Sequence, residues 1–182
     1  MNMKFYSKIS SMLVAAAFLS ILPVEAQIFR QTKQGITGTT QGMDIEIQFI
    51  SPGIVRVVKA PEGRSFKKKS LSVVKSPESM SVTTEKKGET VSLKSNAVRV
   101  DFNVETGRIS FFDKQGKALF TEKDYGAQFT PFNDAGNQTF SVRQAFLLDK
   151  DEAIYGLGQQ QVDDLNQRNH KHFMRQRALH AS

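Results

Sequence analysis

Apolar and polar residues alternate along much of the chain, and this alternation predicts its β-strands. Between positions 43 and 49, apolar residues occupy every second position, with acidic and amide residues between them. The same two-residue period runs from position 98 to position 104, where valine and phenylalanine alternate with polar residues. A side-chain period of two is typical of a strand that buries one face. Each stretch is therefore predicted to place one row of side chains in a core.

Turn-forming residues recur about every ten positions between these stretches. Ser51-Pro52-Gly53 is one such turn, and the charged segment 85–89, which contains a glycine, is another. Short strands with frequent turns are typical of an antiparallel sandwich or barrel, so we expect an all-β fold, an antiparallel β-sandwich. The predicted strands are 43–49, 54–58, 81–84, 90–93, 98–104, 108–112, 117–121 and 140–148.

Four segments lack a clear strand pattern. Residues 27–41 are predicted to lead into the first strand, and residues 60–77 to form a long connection that leaves room for a short strand near 71–74. Residues 125–137, rich in glycine, aromatic and amide side chains, are predicted to form a loop. From 160 to 182 the β pattern is absent, which predicts an irregular C-terminal tail.

The first 26 residues have the pattern of a signal peptide. Two lysines precede an apolar run from Met12 to Leu22, and small residues at Val24 and Ala26 precede Gln27. A membrane-spanning helix needs about 20 apolar residues, so cleavage is favoured over an uncleaved anchor. We expect a mature protein that starts at Gln27, is periplasmic or secreted, and has no membrane contact after cleavage.

Length, composition and charge limit the number of domains and the kinds of stabilisation and partner that the chain can have. The chain has 182 residues, and the part after residue 26 fits one domain. It contains no cysteine, so burial and sheet pairing rather than disulfides must stabilise it. The formal net charge is +7, but the one dense basic run, Phe66-Lys67-Lys68-Lys69, has no interleaved stacking aromatics. We interpret that run as a solvated loop and expect no nucleic-acid partner.

A compact motif near the end of the chain combines an aromatic residue, two glycines one residue apart and an amide. It reads Glu152-Ala153-Ile154-Tyr155-Gly156-Leu157-Gly158-Gln159 and is followed by Leu165-Asn166-Gln167-Arg168. Local chemistry alone predicts a bulge or tight bend, with Tyr155, Gly156 and Gly158 as a structural loop. A dinucleotide-binding loop is excluded because Gln161 stands where a third glycine is required.

This motif, together with Asp-Phe-Asn-Val-Glu-Thr-Gly-Arg-Ile-Ser-Phe at 101–111, resembles the N-terminal β-sandwich of glycoside hydrolase family 31. That family includes α-glucosidases and α-xylosidases. The resemblance implies a galactose mutarotase-like sandwich that precedes a (β/α)₈ barrel carrying both catalytic aspartates. A barrel takes about 250 residues, whereas 23 residues follow Gln159. We therefore expect a chain truncated before the barrel, with no catalytic residues and no hydrolytic activity of its own.

The resemblance also implies a function and a set of sugar contacts. The expected function is that of a carbohydrate-binding accessory domain in an exported retaining α-glycosidase. The expected domains are a signal peptide at 1–26, a sandwich at 27–159 and an incomplete linker at 160–182. After residue 176 the sequence departs from the family pattern, and a truncated gene product and a fragment both stay open as explanations. The implied hydrogen-bonding partners of the sugar hydroxyls are Gln159, Asn166, Arg168 and Arg175.

An alternative is a free-standing module that binds a polysaccharide. Tyr125, Phe129, Phe132 and Tyr155 could stack on sugar rings, although the chain has no tryptophan. Binding by the chain alone would discriminate between the two functions.

The sequence indicates neither a catalytic pair of carboxyl groups nor a metal site. A retaining glycosidase needs two carboxyl groups about 5 Å apart, and no such pair is indicated. Asp44 and Glu46 are predicted on the solvent side of a strand, and Glu122 and Asp124 in a loop. His170-Lys171-His172 lacks a third metal ligand, so no metal and no cofactor are expected.

Overall fold

The described residues form β-strands and no helix, which confirms the all-β prediction. The computed structural model describes residues 29–65, 73–156 and 164–171. No helix in this part of the chain is long and apolar enough to cross a membrane. The strands are β1 (Phe29–Thr32), β2 (Gly35–Thr40), β3 (Met43–Ser51), β4 (Ile54–Pro61), β5 (Thr83–Lys87), β6 (Thr90–Lys94), β7 (Val98–Asn103), β8 (Ile109–Asp113), β9 (Ala118–Asp134) and β10 (Asn137–Phe146).

The strands form two antiparallel sheets. The first sheet has the order β1-β2-β3-β4, and the second has the order β10-β9-β8-β7-β6-β5. Each strand pairs with its neighbour in sequence within a sheet, so both sheets are simple meanders. Strands β4 and β10 are edge strands, each at one end of its sheet.

The core lies between the two sheets, as the alternation predicts. The first sheet contributes the apolar row of β3, and the second contributes apolar residues of β6, β7 and β8. Ile47 and Phe49 on one side, and Leu93 and Phe102 on the other, have no exposed surface. Burial of each such side chain contributes about 1.5–3 kcal/mol to the stability of the fold. This packing of two sheets is the expected β-sandwich.

The prediction that residues 27–41 form only a leader is wrong. Residues 29–40 form the hairpin of β1 and β2, and β2 pairs with β3 over its whole length. The segment lacks an apolar period because glycines and threonines occupy most of β2, while Ile36 supplies its buried anchor. Pairing with β3 overrides the weak local pattern.

The predicted loop at 125–137 is also wrong. Strand β9 continues through it to Asp134, and the chain turns at Ala135 and Gly136 into β10. The amide of Gly136 donates to the Asn133 side-chain oxygen at 2.7 Å, which fixes the turn. The prediction failed because Gly126 and Pro131, which favour a loop by their type, lie within β9 and do not end it.

Other predicted boundaries differ by a few residues, and several predictions lie outside the described residues. Strand β4 extends to Pro61 and β10 ends at Phe146, and residues 73–80 are not strand. The signal peptide at 1–26, the lysine run and the positions 157–163 and 172–182 are not described by the structure.

Candidate functional site

Two segments near the C-terminal end of the described chain are joined by hydrogen bonds. We call residues 149–154 together with residues 164–168 the C-terminal clasp. The backbone amide of Ile154 donates to the Asn166 side-chain oxygen at 3.1 Å, and the Gln167 amide donates to the Ile154 carbonyl at 2.7 Å. The Gln167 side chain is buried. The second segment therefore pairs with the motif that the sequence singled out.

Arg168 fixes the first segment of the clasp from the side. Its guanidinium donates through Nη1 to the backbone carbonyls of Asp149 and Glu152, both at 2.6 Å. The Asn166 side-chain oxygen also accepts from the Arg168 amide at 3.1 Å. These contacts give Asn166 and Arg168 a role in shaping the chain, because each satisfies backbone groups that no strand pairs.

Of the predicted sugar-contacting residues, the structure therefore brings Asn166 and Arg168 together. Gln159 and Arg175 lie outside the described residues, so the proposed set is not assembled in the described part of the chain. A sugar contact from any of the four stays a prediction.

The predicted structural loop is described in part. Gly156 has a φ of 97°, which suits a sharp turn. Tyr155 beside it is 70% exposed, while Gly158 is outside the described residues. The turn therefore presents an aromatic ring to solvent, as a rim of a binding site would.

The other aromatic candidates differ in exposure. Tyr125 is 41% exposed and Phe132 is 51% exposed. Phe129 instead packs against the core and lies edge-on to Phe140, with ring centroids 6.3 Å apart. Tyr125 and Phe132 are thus accessible to a ligand, and Phe129 serves packing.

A cleft of about 400 Å³ opens between the edges of the two sheets, where β4 faces β9 and β10. Its walls are apolar side chains from the inner faces of the sheets, and its polar groups are Lys59, Glu122 and Gln144. This opening leaves part of its apolar lining exposed, since Phe120, Val142 and Phe146 are between 40% and 62% exposed. The aromatic residues of the wall are Phe111, Phe120, Phe129 and Phe146.

An ion pair is buried at the base of this cleft. The Lys59 Nζ lies 2.6 Å from the Glu122 Oε2, and their side chains are only 5% and 6% exposed. Lys59 also donates to the Gly107 carbonyl at 2.9 Å. Glu122 further accepts from the Ile109 amide at 2.8 Å and from the Gln144 side-chain amide at 2.8 Å. The carboxylate therefore accepts hydrogen bonds from three other strands, β4, β8 and β10.

Burial changes the electrostatics of this pair. Desolvation lowers the pKa of Lys59, and the hydrogen bond and charge of Glu122 oppose that shift. Gly126 also belongs to the arrangement, because a Cβ at this position would overlap the Glu122 carboxylate. The residues around Glu122 therefore hold its buried carboxylate in one orientation.

The sequence prediction missed this cluster by placing Glu122 in a loop. The structure places it in β9, opposite Phe146 of β10. A usable signal was present, because Lys59 continues the inward-facing row of Val55 and Val57, as Glu122 continues that of Phe120. A charged residue in an apolar row indicates a buried pair.

Asp44 and Glu46 lie on the outer face of the first sheet, as predicted, since Ile45 between them in β3 is buried. No group of three histidine, aspartate or glutamate side chains that could hold a metal occurs in residues 29–65, 73–156 and 164–171.

Comparison with known proteins identifies the fold. Residues 44–178 match the sequence model of the glycosyl hydrolase 31 N-terminal galactose mutarotase-like domain. The chain belongs to this family. The resemblance to the N-terminal domain of glycoside hydrolase family 31 is thereby confirmed.

Solved structures of family 31 enzymes have the same fold. An α-xylosidase from Xanthomonas citri is 32% identical, with a TM-score of 0.66 over 76% of this chain and 15% of that chain. An α-xylosidase from a soil metagenome, complexed with xylose, is 23% identical, with a TM-score of 0.60 over 76% of this chain and 23% of that chain. A dextranase from Flavobacterium johnsoniae, complexed with isomaltotriose, is 23% identical, with a TM-score of 0.59 over 77% of this chain and 17% of that chain. The family 31 domain described here thus spans less than a quarter of each enzyme.

Proposed function

We propose that this family 31 domain is the carbohydrate-binding accessory domain of an exported retaining α-glycosidase of the α-xylosidase or α-glucosidase type, and that it does not hydrolyse glycosides itself. The observation that carries the proposal is the 32% identity to the Xanthomonas citri α-xylosidase over 76% of the chain. The accessible Tyr155 beside the clasp supports a contribution to sugar binding.

The cleft supports a role as part of a larger enzyme. It leaves Phe120, Val142 and Phe146 between 40% and 62% exposed. Covering such side chains contributes about 25 cal/mol for each Å² of apolar surface removed from water. The rest of the glycosidase is the occupant we propose, because the matched enzymes contain at least four times as much chain as this domain covers.

The chemistry of the cleft argues against catalysis by the domain. Among its described lining residues, Glu122 alone has a carboxyl group, and that group is held by Lys59, Gln144 and a backbone amide. A retaining glycosidase needs two carboxyl groups about 5 Å apart, one of them free to attack the sugar. Glu122 is therefore assigned a structural role.

Grafting tests the accessory role. Residues 44–178 replace the matching region of the Xanthomonas citri α-xylosidase, and hydrolysis of nitrophenyl α-xyloside is compared with that of the enzyme lacking the region. We expect the graft to restore turnover, and a graft with Val142→Lys in the cleft to restore less. A folded graft no more active than the deletion would overturn the proposal. The chain by itself should release nitrophenol at the uncatalysed rate.

A free-standing binding module is the second candidate, favoured by the exposed rings of Tyr125, Phe132 and Tyr155. Calorimetry of the full chain with xyloglucan oligosaccharides and maltooligosaccharides discriminates between the two. A module should bind saturably and lose about two- to tenfold in affinity on Tyr155→Ala, since stacking on an aromatic ring contributes about 0.5–1.5 kcal/mol. Ile54→Ala, at an exposed position at the start of β4, is the control.

Export is a separate part of the proposal. It rests on the lysines, the apolar run and the small residues before Gln27. Sequencing the amino terminus of protein recovered from the periplasm or medium should give Gln27 as the first residue. Retention of Met1 in the cell would contradict export.

A further inference from the structure

The outer face of the first sheet carries a second, separate opening. It is a groove of about 540 Å³, and none of its lining residues belongs to the cleft or to the C-terminal clasp. Strand register places Arg30, Thr37, Glu46 and Val58 in one row across the four strands. This row of side chains therefore runs across the groove, and all of its lining residues except Arg64 and Ser65 belong to β1, β2, β3 and β4.

A second row lies beside the first and completes the base of the groove. Thr39, Asp44 and Ala60 are paired across β2, β3 and β4. On the β4 side both rows end in small apolar residues, Val58 and Ala60, whereas threonines and carboxylates line the centre. The groove thus combines a shallow aliphatic strip with a polar strip.

The polar strip is held in place by the fold. The Thr39 hydroxyl donates to Asp44 Oδ1 at 2.6 Å, and the Gly63 amide donates to Asp44 Oδ2 at 2.8 Å. Asp44 is therefore oriented before any ligand arrives, which lowers the entropic cost of binding. Within the part of the chain that the structure describes, the side-chain contact of Glu46 is a long one of 3.5 Å with Arg56, and both side chains are about 40% exposed. Its carboxylate can exchange that weak contact for a ligand hydroxyl.

The charged residues that line the groove favour a neutral ligand. Two arginines, Arg30 and Arg64, and two carboxylates, Asp44 and Glu46, line the groove, so their formal charges cancel. Either an anion or a cation would meet like charge as often as opposite charge. A neutral ligand rich in hydroxyl groups can instead donate to the carboxylates and accept from the guanidinium groups and threonine hydroxyls. The aliphatic strip suits the C–H face of a sugar ring.

We propose that this groove binds a short neutral oligosaccharide, at a site distinct from the clasp. The choice of a carbohydrate rests on the proposed function, while the location rests on the groove alone. Arg64 at the rim also lies over the Phe140 ring, with its guanidinium carbon 5.9 Å from the centroid, which ties the rim to the β9–β10 hairpin.

The test is a titration of the full chain with a xyloglucan oligosaccharide and with isomaltotriose, followed by amide chemical shifts. We expect saturable shifts at Thr37, Glu46 and Val58. Glu46→Gln should weaken binding about three- to tenfold, because one charge-assisted hydrogen bond to a hydroxyl is lost. Ala60→Leu should weaken it by filling the aliphatic strip without changing charge. Glu85→Gln, an exposed change of the same kind on β5, should leave the affinity unchanged.

Each other outcome overturns the inference in a recognisable way. Shifts confined to Ile154 and Arg168 would place the sugar at the clasp, so that the groove inference fails while carbohydrate binding stands. A titration without shifts for either probe would overturn the groove as a carbohydrate site, and the graft experiment would still decide the accessory role. Equal affinities for Glu46→Gln, Ala60→Leu and the parent chain, at unchanged thermal stability, would also refute it.

Discussion

At the scale of single residues, the Lys59–Glu122 pair is the most constrained feature of the molecule. Both side chains are nearly inaccessible, and the carboxylate takes three donors from different parts of the sandwich. A buried ion pair adds little stability relative to an apolar replacement of both members, but removal of one member leaves an uncompensated charge. The main role of the pair is therefore to fix the arrangement of β4, β8, β9 and β10, and its net contribution to stability is small.

Removing the lysine should destabilise the domain strongly. Lys59→Met leaves the Glu122 carboxylate buried without its counter-ion, and we expect the free energy of unfolding to fall by about 3–5 kcal/mol. Lys86→Met, at an exposed position on β5, should change it by no more than about 0.5 kcal/mol. Urea denaturation of the parent chain and both variants measures this. Similar losses for the two variants would contradict a structural role of the pair.

The same lysine should give the stability a pH dependence. Desolvation by burial places the pKa of Lys59 in the fold below its ordinary value of 10.5. Between those two pKa values the unfolded chain binds more protons than the folded chain, so this group makes the free energy of unfolding rise with pH. Nuclear magnetic resonance of the Lys59 side chain should detect a titration midpoint below 10.5, and a midpoint at or above that value would be contrary to the prediction.

At the scale of elements, the alternation of side chains predicted the strands that bury one face, and it failed elsewhere for physical reasons. Strand β3 was predictable because its apolar row is complete. Strand β2 was not, because pairing with β3 fixes a segment whose own residues are mostly glycine and threonine. The strand at the end of β9 was not predicted, because this part of β9 pairs with β10 but its side chains are exposed and show no buried apolar row.

Close pairing of β2 with β3 makes Gly35 a sensitive position. A Cβ there would overlap the backbone carbonyl of Ile47, which cannot move without breaking the ladder. Gly35→Ala should therefore lower the free energy of unfolding by about 2–4 kcal/mol. Gly53→Ala is the matched control, because its Cβ would meet nothing within 4 Å, and its effect should stay within about 0.5 kcal/mol. Equal stability of the two variants in urea would refute the close approach.

At the scale of the whole molecule, the strand and turn pattern predicted the sandwich, and the motifs at 101–111 and 152–168 predicted the family, but neither predicted the openings on the surface. The cleft depends on residues such as Lys59 and Glu122 that meet across 63 positions of sequence. No local pattern encodes that meeting. The clasp illustrates the same limit, since Asn166 and Arg168 were predicted as ligand contacts and their described contacts are with the chain itself.

The open cleft should make the isolated domain bind apolar probes and associate with itself. Exposed apolar patches and unpaired edge strands both promote such contacts. Val142 lines the cleft and is 62% exposed, so Val142→Lys places a charge at its rim with little loss of packing. We expect the fluorescence of a bound anilinonaphthalene dye to fall to about half and light scattering at high concentration to decrease. Val74→Lys, at a position that is 92% exposed and away from the cleft, should change neither signal. Equal dye fluorescence in the two variants, at equal unfolding free energy, would mean that the cleft is not the apolar surface that binds the dye.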